Sequence, residues 1–200
     1  MSRQKKLILV VVSVCLIFIA LFAYTNFNKE TKMVGKILSV TGLVEVKKDD
    51  DDKLIKVFKN MAFTQGDTIF TSSDGRAEIA LDEHKEISIA EDTELAFSEL
   101  VTSLKAESGK SQLKLKGGKV KVKINEKLKG DSRFQIETPN GIMGVMGTEF
   151  YVYYDGKGTW VGVIEGIVEV VVTGKKIAIV PSAKSIYLGN DGTVNMSDLD

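Results

Sequence analysis

From Val34 onward, apolar residues recur at every second position, in short runs separated by charged or glycine-bearing breaks. Alternation with period two puts every apolar side chain of an extended segment on one face, which a helix cannot do. Ala77, Ile79 and Leu81 alternate with polar residues, followed by Ile87 and Ile89, then Leu95 and Phe97. Charged breaks at Asp82–Glu86 and Ala90–Glu94 separate them. Short strands at a spacing of roughly 8–10 residues predict an all-β fold, an irregular β-roll or β-sandwich of about 12–16 short strands. Further strands are expected at Leu113–Leu115, Val120–Ile124, Phe134–Glu137, Glu149–Tyr154, Thr159–Ile164, Ile167–Thr173, Lys176–Val180 and Lys184–Leu188. Leu100–Lys105 reads as a single helical turn, and the acidic end, Asn195–Asp200, as a frayed tail. No second domain is indicated between residues 34 and 194.

The N-terminus follows another rule. Arg3, Lys5 and Lys6 precede an apolar run from Leu7 to Tyr24, broken by Ser13 and Cys15. About 20 apolar residues cross a bilayer core as a helix, so residues 7–24 are just long enough for one transmembrane α-helix. Cations before the run place the N-terminus inside. The expected organisation is a cytoplasmic tail (1–6), a single-pass signal anchor in the cytoplasmic membrane (7–24), a polar tether (25–33) and a β domain in the periplasm or extracellular space. A cleaved signal peptide is the rival reading, although such apolar regions are usually shorter and end at small residues. Cys15 is the only cysteine, so no intrachain disulfide can form. An exported part of about 170 residues can bury roughly 70% of its unfolded surface and needs no staple. Its net charge is about −4, an ordinary solvated surface that argues against a nucleic-acid partner.

Three stretches together resemble the FecR domain family. Gly35–Val46 (GKILSVTGLVEV) is similar to its first hairpin. Gln65-Gly66-Asp67-Thr68-Ile69, with Ala77–Leu81 after it, is similar to its Gly-Asp turn and following strands. Glu137–Val152 (ETPNGIMGVMGTEFYV), followed by Glu165-Gly166-Ile167-Val168-Glu169-Val170, carries the strongest likeness. The residues matching the family pattern, read as structural, are Gly66, Asp67, Thr138, Pro139, Gly144, Gly147, Thr148, Phe150, Glu165 and Gly166. Met146 stands where the family commonly has arginine. The family is named after a regulator that relays a signal from an outer-membrane iron transporter to a cytoplasmic sigma factor. With about six residues before the apolar run, the resemblance implies the fold, the exported location and a non-enzymatic, interaction-type role, and not the grip on a sigma factor.

Among candidate sites, Lys114 and Lys116 alternate with Leu113 and Leu115, and Lys119, Lys121 and Lys123 with Val120, Val122 and Ile124. A Gly117-Gly118 hairpin would set lysine against lysine, which is unfavourable. A bend there would let the lysines meet acidic neighbours. The ladder is either a charge-paired surface or an anion-binding strip for a glycan, a lipid headgroup or an acidic protein. Gly141, Gly144 and Gly147 precede a strand and not a helix, so they read as turns and not as a phosphate cradle. Asp49–Asp52 lacks the alternation and glycine of a calcium loop. His84 is the sole histidine, with no metal-ligand spacing around it and no serine in a nucleophile elbow to serve. Trp160 is expected in the core rather than on an exposed platform for sugars, because its strand reads as buried on at least one side. No catalytic residue, metal or cofactor is implied. The reading is a membrane-tethered envelope interaction or scaffold module that binds a protein or glycan partner. The alternative is a signalling co-receptor of a FecR-type transmembrane system, and an envelope hydrolase is the least supported.

Overall fold

The computed structural model describes residues 14–21, 31–49, 51–103, 108–128, 130–145 and 147–199. One short helix, α1, spans residues 14–21. Among the described residues, eighteen strands follow: β1 Thr31–Lys32, β2 Val34–Thr41, β3 Val44–Lys47, β4 Leu54–Lys56, β5 Ala62–Thr64, β6 Thr68–Thr71, β7 Arg76–Ala80, β8 Lys85–Ile89, β9 Glu94–Ser103, β10 Ser108–Ile124, β11 Arg133–Thr138, β12 Gly141–Val145, β13 Glu149–Tyr154, β14 Gly158–Glu165, β15 Ile167–Val172, β16 Lys175–Pro181, β17 Lys184–Gly189 and β18 Val194–Asp198.

The strands form two curled sheets that face each other. In the first the order is β4-β3-β6-β9-β10-β11-β12-β15-β16, with β1 also on β9. In the second it is β5-β2-β7-β8-β10-β13-β14-β17-β18. Pairing is antiparallel except between β10 and β11. The chain winds back and forth between the sheets. Glycines at positive φ stand at two of its corners, Gly42 between β2 and β3 and Gly166 between β14 and β15.

The 17-residue β10 belongs to both sheets. Ser111, Leu113 and Leu115 point inward in the first sheet, and Val120, Val122 and Ile124 in the second. The inward parity changes from odd to even across Gly117-Gly118, where the register with β9 also shifts. Gly118 has φ +85°, and a Cβ there would lie 2.2 Å from the Thr93 hydroxyl. The diglycine is therefore a bend inside one strand, which removes the lysine-on-lysine pairing of a hairpin.

The core lies between the sheets. Phe63 and Phe97 stack across it with ring centroids 4.4 Å apart, and Phe134 meets Phe150 edge-on at 6.5 Å. All four are fully buried.

The structure corrects several expectations. Leu100–Ser103 continue β9, with Val101 and Thr102 paired to both β10 and β1, and do not turn as a helix; Leu104 and Lys105 lie outside the described residues. The described part of the acidic tail, 195–199, is not frayed, and Asp200 lies outside the described residues. β18 pairs with β17, and Leu199 N–H donates to the Ala183 carbonyl at 2.9 Å. Main-chain pairing at a sheet edge needs no apolar pattern, so hydropathy gave no sign of it. Trp160 is 42% exposed and outside the core. Of the expected transmembrane segment, 7–24, only α1 falls within the described residues, and no described helix is long and apolar enough to cross a membrane.

The Ser111 hydroxyl is buried with no hydrogen-bond partner. Urea titrations are expected to show Phe97→Ala losing about 3–5 kcal/mol. Ser111→Ala should cost nothing, because no hydrogen bond is lost.

Candidate functional site

The diglycine bend divides the lysine ladder between two surfaces. Lys114 and Lys116 project from the first sheet, where Lys114 lies 3.3 Å from Glu137 and Lys116 2.8 Å from Glu94. Lys119, Lys121 and Lys123 project from the outer face of the second sheet. Lys121 is paired with Glu149 at 2.6 Å. Lys123 stands opposite Glu86 on one side and Glu149 on the other. Lys119 holds its ammonium 4.6 Å over the Tyr151 ring, a cation–π contact. The five lysines are thus not one strip, and the ion pairs described along the ladder neutralise Lys114, Lys116 and Lys121.

The same outer face carries a feature that the sequence reading missed. Cross-strand register aligns Lys119, Tyr153, Trp160, Tyr187 and Asn195 in one row across β10, β13, β14, β17 and β18. Trp160 and Tyr187 stack with centroids 4.5 Å apart, and Tyr153 beside them is 39% exposed. Gly158 and Gly162 flank Trp160 at two positions either side on β14. A Cβ at Gly158 would lie 2.5 Å from the Tyr187 ring, and one at Gly162 2.3 Å from the Tyr151 ring. The rings therefore lie down on the sheet over glycine. The signal was present in Gly158-Thr159-Trp160-Val161-Gly162: valine marks the inward parity, and tryptophan between two glycines has no side-chain wall of its own strand around it.

The family-pattern residues lie at corners and in the core. Asp67, 2% exposed, accepts hydrogen bonds from Lys48 Nζ (2.6 Å), Thr64 N–H (2.9 Å) and Asp49 N–H (3.3 Å), binding the β3–β4 loop to the β5–β6 corner. Gly66, φ +94°, leaves room for the Asp49 side chain at that corner. The corners β12–β13 and β14–β15 pack on each other. Gly147 has φ +105°, a Cβ on Gly166 would lie 2.7 Å from the Gly147 carbonyl oxygen, and the Thr148 hydroxyl donates to the Ile167 carbonyl at 3.1 Å. Glu165 is exposed opposite Glu149. Phe150 is core. Thr138 and Pro139 open the two-residue turn between β11 and β12, where the Thr138 hydroxyl lies 2.8 Å from that of Thr159. Gly141 and Gly144, read as turn residues, lie within strand β12, and nothing in the structure requires glycine at Gly144. Met146 lies outside the described residues.

His84 is an exposed turn residue 3.7 Å from Glu126, on a cleft of about 260 Å³ that also includes Asp82 and Lys85. Among the described residues, no group of three or more His, Cys, Asp or Glu side chains is placed to hold a metal ion.

Several carboxyls sit below the usual carboxylate range. The hydrogen bond from Lys121 lowers Glu149, that from Ser72 lowers Asp74, the Lys157 and Gly158 amides lower Asp155, and Lys184 lowers Asp198. A carboxyl depressed in the folded state stabilises it above the unfolded value, near 4, and loses that contribution as pH falls through the folded one. Thermal melts between about pH 8 and about pH 2 should show a plateau at neutral pH and a decline beginning below about pH 4. A maximum in the acid range would contradict these pairings.

Comparison with known proteins places this geometry. The profile of the FecR protein family matches residues 67–169, just over half of the chain. No curated protein matches it. Two crystal structures of a provisionally assigned anti-sigma factor from Parabacteroides distasonis share the fold. Their TM-scores are 0.53 and 0.54, each at 15% identity. The match covers 66% of this chain and 60% of that protein, so this chain corresponds to somewhat over half of the relative's length.

Proposed function

The chain belongs to the FecR protein family, and from that membership we propose that it is a non-enzymatic, membrane-tethered module of a FecR-type signalling system, whose β domain (residues 34–194) meets an envelope partner outside the cytoplasm. The family match carries this reading, and the fold shared with the Parabacteroides protein agrees with it. The membrane anchor in this proposal is residues 7–24. Supporting this, the described part of that run exposes apolar side chains all round α1. Leu16, Ile17, Phe18, Ile19 and Leu21 are 55–67% exposed. A helix that is apolar on every side is stable in lipid or inside a larger core, and α1 is covered by neither sheet. The basic residues Arg3, Lys5 and Lys6 favour an internal N-terminus.

The contact surface in this proposal is the outer face of the second sheet, where Lys119, Lys121, Lys123 and the aromatic row are displayed together. Partner binding there would be the input, and the membrane segment would hold the domain where that input arrives.

A C-terminal alkaline phosphatase fusion tests the topology and a deletion tests the role. The expected results are phosphatase activity outside the cytoplasm, and a changed transcript set on deletion that is restored by the wild-type chain. Restoration should fail when residues 7–24 are removed. A phosphatase fusion that is expressed but inactive, or transcripts indifferent to the deletion, would overturn the proposal.

A further inference from the structure

The aromatic row on the second sheet has no structural task that requires its exposure. Cross-strand aromatic pairs do stabilise sheets and cover glycine. Rings serving only that purpose gain most when buried, yet Trp160 and Tyr153 keep 42% and 39% of their surface in water. Adjacent strands lie about 4.8 Å apart, so Tyr153, Trp160 and Tyr187 form a strip roughly 10 Å long across the strands. The Tyr187 and Tyr151 rings lie over Gly158 and Gly162 on the two sides of Trp160, so its own strand raises no side-chain wall beside the indole and the rings form a platform and not a walled groove.

The charge around this platform is balanced. Lys121 is neutralised by Glu149, Lys184 by Asp198 and Arg76 by Glu91. Lys119 rests on the Tyr151 ring. Glu86 and Lys123 stand opposite each other. At the row's far end, Asn195 offers an amide rather than an ion. A strongly anionic ligand would find little uncompensated positive charge here.

We propose that the outer face of β13, β14 and β17 binds a neutral polysaccharide chain, with pyranose rings lying on Trp160, Tyr153 and Tyr187. The C–H face of a pyranose is flat, weakly apolar and carries slight positive charge, which complements the electron-rich face of an aromatic ring. Sugar hydroxyls at the ring edges need polar neighbours. Asn195 at one end and Lys119 at the other supply donors at the height of the rings. A polyproline segment, the other common ligand of exposed aromatics, docks into aromatic-lined grooves, whereas the rings here lie across a sheet face with the glycines beside Trp160 covered by Tyr187 and Tyr151. The inference rests on the reading of the β domain as displayed outside the cytoplasm, where such a polysaccharide would be met.

Trp160 is the only tryptophan in the chain, so its fluorescence reports this face alone. The full chain in detergent is titrated with four neutral hexasaccharides, of gluco, xylo, chito and manno configuration, and with a hexa-uronate and decaproline. At least one neutral hexasaccharide should shift the emission saturably, with decaproline inactive and the uronate at least about tenfold weaker. By calorimetry, Tyr153→Ala and Trp160→Leu should each weaken binding about tenfold or more with an unchanged melting transition. Tyr153→Ala keeps the test intact if Trp160→Leu fails to fold. No shift with any of the four sugars, tighter binding of the uronate or decaproline, or undiminished binding by folded Tyr153→Ala would overturn the proposal. The assay uses purified protein, so its failure leaves topology and transcript results untouched, and theirs leaves the binding result untouched.

Discussion

A single strand, β10, runs through both sheets and joins them by main-chain hydrogen bonds. β10 is bonded on both edges in the first sheet, to β9 and β11, and on both edges in the second, to β8 and β13. A strand shared in this way must keep its apolar side chains between the sheets along its whole length. Strict alternation over 17 residues would instead drive half of them to the wrong side once the strand bends into the other sheet. Gly117-Gly118 resolves the conflict by resetting the parity. Phe97 and Phe134 on one sheet then face Phe63 and Phe150 on the other, because the strand between them fixes both inner faces.

That constraint also arranges the surface. Side chains opposite the core must alternate outward, so the polar face of β10 becomes lysine on two separate surfaces. Each lysine meets what the neighbouring strand presents. β9 and β11 bring Glu94 and Glu137, while β13 brings Glu149 and Tyr151. The aromatic row follows from the same registers continued through β14 and β17. Its rings lie flat because the outward positions beside Trp160 on β14 are glycine. The corner motifs serve this arrangement from below. Gly147, Thr148 and Gly166 lock two crossings between the sheets together next to β13 and β14.

Much of this was legible in the sequence, and the exceptions have identifiable causes. Period-two alternation located the strands from Leu113 to Leu188 because one buried face selects apolar residues at every second position, with β12 the exception, since its glycines at 141 and 144 read as turns. The Gly-Asp corner was visible through its turn chemistry, whereas Gly35–Val46, read as a hairpin, is a corner at Gly42 that carries the chain from β2 in the second sheet to β3 in the first. The buried Asp67 carboxylate that binds a loop to the Gly-Asp corner was not visible, since the contact is 18 residues distant in sequence. β1 and β18 escaped because edge pairing is made by the backbone, and Leu100–Ser103 misled because adjacent apolar residues mimic a helical face. Trp160 was assigned to the core because its strand is buried on one side, when Val161 and Val163 after it already fixed the inward parity and put Trp160 on the other face. The paired state of the lysines depended on which strands become neighbours, and local sequence does not encode that.

The central claim is that the outer face of the second sheet is where this domain meets its partner. Photo-crosslinking in living cells tests it most directly, with a benzophenone amino acid placed at Tyr153 on that face or at Ile179, exposed on the outer face of the first sheet. The account predicts a high-mass envelope adduct from position 153 and none from position 179. An adduct from 179 alone, or equal adducts from both, would contradict it.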